Sequence, residues 1–314
     1  MLAEYLPMNA AALMDRVFDL YKATFKTQIA FSLIIGIISF ALLLALGMMM
    51  IFSVGIAAGL TGEINEQNIL IIVLIALIGI LPLYIGWLYL SSSGHILISK
   101  QAFYGEPIGL PFVDAIKVFF RVISAGAAQL ILSSPWLAIL GFLIYSAASG
   151  YDDILEFLID IHPVTLIVGG FVYVALYVVY SNIFALSVPV AIFEKRLFFT
   201  TITRSMQLLK GDFMRVLGLR LLWAVLIYLF SYSAQSLVVL LVAALTAFAG
   251  HVIDLGYIWI ATGPLQFYVS LFITILVGPM EGIMTALIYF NQKIKKDGLD
   301  IEIGLSRLSR GATL

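Results

Sequence analysis

LLWAVLIYLFSYSAQSLVVLLVAALTAFAGHVI, residues 221–253, runs for 33 residues without one Asp, Glu, Lys or Arg. As a helix it would reach about 50 Å, at ~1.5 Å per residue, and a bilayer core is only about 30 Å thick. Arg220 closes it on one side and Asp254 on the other. Five more runs share this character: 27–62, 67–99, 122–151, 161–193 and 255–292, the last interrupted by Glu281 alone. Only helices satisfy their own backbone over such lengths in lipid, and a membrane barrel would show alternating segments of ~10 residues instead.

The cations between the runs set their order. All 17 Lys and Arg residues fall into four blocks, 16–26, 100–121, 195–220 and 293–310. Cytoplasmic loops collect Lys and Arg. The connections that lack them are acidic or short: Glu63 and Glu66; Asp152, Asp153, Glu156 and Asp160; His251 and Asp254. The pattern reads as an all-α integral membrane protein of six spans in three hairpins, multi-pass in the cell (plasma or inner) membrane, with both termini cytoplasmic. In this single transmembrane domain, 1–26 is a cytoplasmic amphipathic helix and 27–99 the first hairpin. An inner loop at 100–121 leads to the second hairpin, 122–193. An inner amphipathic segment, 194–220, leads to the third, 221–292, and 293–314 is a cytoplasmic tail.

Composition agrees. The chain is 62% hydrophobic and 11% charged, with mean hydropathy +1.10, where soluble domains carry roughly 25% charged residues. A net charge of −1 gives no strong field for nucleic acid. The absence of cysteine excludes disulfides, thiolate metal sites and a cysteine nucleophile. Charges at Asp15, Arg16, Asp19, Lys22 and Lys26 do not suit a cleaved secretory signal, so the first span is expected to stay as a signal-anchor. The runs are long enough to tilt or kink, and Gly263-Pro264 and Gly278-Pro279 are the expected breaks, with Pro82, Pro135 and Pro189 as further kink sites.

The inner blocks repeat. Residues 15–25, DRVFDLYKATF, and 203–213, TRSMQLLKGDF, share Arg, Leu, Lys and Phe at the same offsets. Leu13, Val17, Leu20 and Thr24 form one helical stripe, and Ile202, Met206, Leu209 and Phe213 another. Val113, Ile116 and Phe120, with Lys117 and Arg121, make a fainter copy. The unit is an interfacial amphipathic helix before each hairpin, its apolar face in the headgroup boundary and its basic face toward anionic lipid. A basic linker before any span would also look this way.

Several of these stretches resemble the glycerophosphoryl diester phosphodiesterase membrane-domain family. They are the Leu13-Met-Asp-Arg-Val-Phe-Asp-Leu-Tyr21 core, Tyr104-Gly-Glu-Pro107, Pro189-Val-Ala-Ile-Phe-Glu194, Thr203-Arg204-Ser205 with Leu208-Leu-Lys-Gly211, and Leu287-Ile-Tyr-Phe290 followed by Lys293 and Lys296-Asp-Gly-Leu-Asp300. The resemblance implies a six-span membrane module. Some members of that family are fused to a soluble phosphodiesterase domain. That domain is expected to be absent here, so the resemblance transfers no enzyme activity.

Few side chains carry chemistry. Glu281 lies roughly 18 Å along a regular helix from Lys293, and an intramembrane carboxylate is a functional candidate by default. Proton relay, cation site and gate compete with a protonated or packed Glu. His95 follows Ser91-Ser-Ser-Gly94, but nucleophilic catalysis also needs a base in reach and oxyanion donors, and helix packing is the plainer reading. His162 and His251 share the outer side with carboxylates, without spacing that fixes a metal geometry. Arg16, Lys22, Arg204, Lys210 and Arg215 are candidate contacts for headgroups or a partner, and Glu194 is expected to form a weak surface pair with Arg204 or Lys195. Tyr21, Trp87, Tyr89, Trp136, Tyr151, Trp223 and Trp259 are candidate interfacial anchors, and Gly55/Gly59 and Gly169 candidate close-approach points. No cofactor or metal is expected. The partners are anionic membrane lipids and a membrane or cytoplasmic protein. The function expected is a non-enzymatic scaffold, anchor or regulator; the competing reading is a transporter or lipid-handling protein using Glu281. An intramembrane enzyme has only His95 and its serines behind it.

Overall fold

A computed structural model describes residues 7–61, 87–106, 109–148, 163–248, 255–299 and 301. Within them every long element is helical: α1 (Ala10–Thr61), α2 (87–104), α3 (Pro111–Ala148), α4 (Pro163–Asn182), α5 (Ser187–Phe193), α6 (Phe199–Leu209), α7 (Phe213–Phe248) and α8 (Leu255–Asp297). Among the described residues no strand occurs. Five stretches are long and apolar enough to cross a membrane: Ala10–Leu42, Pro111–Trp136, Val168–Phe193, Phe213–Ala244 and Tyr268–Asp297. The expected second crossing is described only from residue 87. The acidic outer connections, His162, His251, Pro82 and Tyr151 lie outside the described residues.

The helices begin where the sequence allows. Asn9 caps α1, its Oδ1 accepting the Ala12 amide at 2.8 Å, the usual service of an Asn N-cap. Pro111 and Pro163 open α3 and α4, where a missing N–H is harmless. Gly211, at φ +89°, makes the turn after α6, and Asp212 then precedes α7, its carbonyl accepting the Val216 amide at 3.0 Å.

Three expectations change. α1 runs unbroken through residue 26, so the amphipathic stretch and the span after it are one helix. The stripe Leu13, Val17, Leu20 and Thr24 is buried in the protein, not left for the headgroup boundary. α8 also stays helical through Gly263-Pro264 and Gly278-Pro279.

The chain divides into two compact units. The first comprises 118–217 with 288–314 and residues 1–7. Its core includes Ala128, Phe184 and Ile202, with Leu132, Tyr180 and Ile183 packed against them. Phe193 stacks on Phe290 with centroids 5.2 Å apart. α6 is amphipathic, burying Thr201, Ile202, Ser205, Leu208 and Leu209. Met206, expected on the apolar stripe, is instead 52% exposed.

The second unit comprises 8–117 and 218–287. Phe31, Ile35 and Ile98 form a cluster with Trp87 and Phe112 against it. Trp87 donates to Ser39. Trp223 is buried, edge-on to Phe18 at 6.1 Å, so it is a core residue and not an interfacial anchor. Gly169 meets nothing nearby; the close approaches fall at Gly94, against Phe31, and at Gly282, against His95.

Candidate functional site

In the first unit, α5 ends at Phe193, Glu194 follows as its C-cap, and α6 begins four residues after Lys195. Lys195 and Phe198 between them adopt left-handed backbone, at φ 55° and 52°, a conformation that is strained for residues with a Cβ. This tight corner aims the Glu194 carboxylate back at α6. The Arg204 Nε–H is shared between the two Glu194 oxygens, at 3.0 and 3.2 Å. Arg196 Nε lies 3.1 Å from the same carboxylate, and the Tyr289 hydroxyl donates to it at 3.1 Å. The Arg204 Nη2 donates to Asp297.

The expectation of a weak surface pair therefore needs correction. The Arg204 side chain is 16% exposed and that of Glu194 is 10% exposed. Burial alone would lower the Arg204 guanidinium, but the hydrogen bond and charge of Glu194, with those of Asp297, outweigh it and hold the group above its ordinary range. Arg204 is thus committed within the protein and is not a free headgroup contact.

A second ion pair lies close in sequence. Lys295 donates to Asp212 at 2.9 Å. Gln292, with its amide nitrogen turned toward acceptors, donates to Asp212 and to the Leu208 carbonyl at 3.2 Å each. The Lys295 hydrogen bond holds the Asp212 carboxyl below its usual value against the opposing effect of burial, and Lys295 charge, Gln292 and Arg215 add to the lowering. Ser205, fully buried, donates to the Ile183 carbonyl at 2.8 Å and accepts the Leu186 amide at 3.3 Å. Lys210 and Arg215 are exposed.

The second unit holds His95 and Glu281. His95 is 5% exposed. Its Nδ1 lies 2.6 Å from Gln28 Oε1 and its Nε2 3.5 Å from Ser32 Oγ, with Phe31 edge-on at 5.0 Å. Gly282 packs directly on it. The Ser93 and Ser99 hydroxyls donate to the backbone carbonyls of Leu90 and His95, so neither is poised as a nucleophile. The Gln28 Nε2 is buried with no partner among the described residues.

Glu281, in contrast, is exposed on α8. It shares an outward face with Ser270, Thr274 and Gly278, spaced by four, four and three residues. Its charge acts on Arg220, which is half-buried. Lys22 is exposed and Arg16 half-buried on α1.

The sequence flagged Arg204, Glu194 and His95 but missed Tyr289, Asp297, Asp212, Lys295 and Gln28. A scan of charged residues passes over Gln28, and the partners of Glu194 and Arg204 lie up to 95 residues away. Compared with family models, with characterised proteins and with solved structures, the chain matches none.

Proposed function

We propose that this chain is a six-span protein of the cell membrane, arranged as three hairpins with both termini in the cytoplasm, that acts by contact and not by turnover. It serves as a scaffold, anchor or regulator for a membrane partner. The four cation blocks support the topology. Membership of the glycerophosphoryl diester phosphodiesterase membrane-domain family is part of the proposal. It rests on the sequence resemblance of the quoted stretches alone.

The observation that carries the contact role is the outward placement of Glu281. A charged side chain near the centre of a spanning helix disfavours insertion by about 2.5–3.5 kcal/mol unless it is met by a partner or water; the Arg220 charge meets part of that need, and the exposed side of the carboxylate is left for another partner. Small residues beside it, Ser270, Thr274 and Gly278, let another helix approach closely. A transporter would instead gather its carboxylate inside a cavity. The competing transporter or lipid-handling reading draws on the same carboxylate, Glu281.

Photo-crosslinking in native membranes from a probe at Thr274 tests the proposal. The expected result is one adduct of defined mass, reduced at least tenfold by Glu281→Leu. No adduct from this face, together with solute or lipid flux in proteoliposomes that Glu281→Gln abolishes, overturns it in favour of transport.

A further inference from the structure

α6 turns a second face away from its buried one. Thr203, Met206, Gln207 and Lys210, spaced by three, one and three residues, are all exposed. With Ile183, Leu209 and Phe213 they line an open groove of about 410 Å³, within the roughly 300–1,000 Å³ typical of small-molecule sites. Its walls are apolar: Ile183, Met206, Leu209 and Phe213. Thr203, Gln207 and Lys210 are its polar lining residues.

The charge around this groove is unbalanced. Glu194 is met by Arg204 and Arg196, Asp297 by Arg204, and Asp212 by Lys295. Lys210 has no side-chain partner among the described residues. Lys296 donates to the Lys210 carbonyl at 2.8 Å, which brings a second exposed ammonium to the rim. α6 also lies in the connector 194–212, between one apolar stretch ending at Phe193 and the next beginning at Phe213. An apolar groove lined by Lys210, with the Lys296 ammonium on the carbonyl of that same residue, matches an amphiphile with one anionic head.

The geometry points to a binding site for an anionic glycerophospholipid, its acyl chain along Ile183, Met206 and Phe213 and its phosphate at Lys210 and Lys296. The site stands independently of the scaffold role, because it needs neither Glu281 nor a protein partner. Near an anionic surface one cation is worth a factor of about five in affinity.

The test is thermal stabilisation of the full chain in neutral detergent by added phosphatidylglycerol, phosphatidylcholine or inorganic phosphate, with native mass spectrometry of retained lipid. Phosphatidylglycerol is expected to bind at least fivefold more tightly than phosphatidylcholine, with one molecule retained per chain. Lys210→Glu, and Met206→Trp or Gln207→Trp filling the groove, are expected to weaken it at least fivefold, while Lys26→Glu, at an exposed position in the other unit, leaves it unchanged. All four positions are exposed, and circular dichroism checks the fold. Equal affinity for the two lipids overturns the site, as does wild-type binding in the groove variants. An equal loss in Lys26→Glu overturns it in favour of diffuse surface charge, and equal stabilisation by inorganic phosphate removes the acyl-chain role.

Discussion

Replacing Arg204 by Ala removes a guanidinium that ties α6 both to the end of α5 and to the end of α8. Two contacts go at once: the Nε–H shared by both Glu194 oxygens and the Nη2 bond to Asp297. A hydrogen bond to a charged group contributes about 1.5–3 kcal/mol net, and breaking a fully buried ion pair costs about 3–5 kcal/mol. This pair falls short of that limit, because Asp297 is 30% exposed and Glu194 keeps Arg196 and Tyr289. The expected loss is about 2–3 kcal/mol. At roughly 2–4 °C per kcal/mol for a domain of this size, Tm should fall by about 5–10 °C. Arg204→Lys keeps one charge but cannot span two carboxylates, so it should fall about half as far. Thermal unfolding in detergent, followed by the fluorescence of the four tryptophans, measures both. A cycle with Glu194→Gln should return a coupling of about 1.5–3 kcal/mol. A shift under about 1 °C for Arg204→Ala, or strict additivity in the cycle, refutes a structural role for the cluster.

Gly282→Ala should be strongly destabilising, by about 1–3 kcal/mol or more, because its new Cβ meets the Cβ of His95; His95→Gly should relieve part of this in thermal melts and His95→Ala should not. Asp212 has a carboxyl held below its ordinary 3.8, so its stabilising effect is complete above that value and lost as pH falls through the folded value. Melting curves of wild type and Asp212→Asn should therefore differ at neutral pH and converge in acid. Lys195→Gly should raise stability by about 1 kcal/mol, since glycine occupies the left-handed backbone there without a Cβ penalty; Lys195→Ala, which removes the same charge, should give no such gain.

The apolar runs and the helices they form were legible because lipid demands length and low charge, and a run such as 221–253 has both. Helix boundaries were less so. α1 begins at Ala10, not at the end of the charged segment, because the charges of 15–26 fall beside a stripe that the protein itself buries. Leu13 and Val17 look the same in sequence whether they face headgroups or a neighbouring helix. Glu194 and Arg204 are ten residues apart, so their meeting could be anticipated. Its strength could not, because Tyr289 and Asp297 arrive from the other end of the chain. Gly282 and Gly94 were invisible as packing sites, since a glycine gives no sign of what lies opposite. Glu281 was found by its charge alone, while the direction it faces depends on every helix around it.

These readings divide the polar groups into two kinds. Glu194, Arg204, Asp212 and Lys295 brace helix ends within one unit, and their charges are matched. Glu281 and Lys210 are exposed, one on a spanning helix and one on a connector. The proposed contact role draws on the second kind, and the ion pairs of the first tie α5, α6 and the end of α8 together.

Because the chain has no cysteine, sidedness can be read one residue at a time. Single-cysteine variants Lys22→Cys, Tyr104→Cys, Lys210→Cys and Lys293→Cys, against Glu63→Cys, Asp153→Cys and Asp254→Cys, are exposed to a membrane-impermeant maleimide on intact cells. The three-hairpin topology predicts labelling of the last three alone, and of the first four only after the membrane is opened. Labelling of any of the first four from outside, or of Lys22→Cys and Glu63→Cys from the same side, contradicts it.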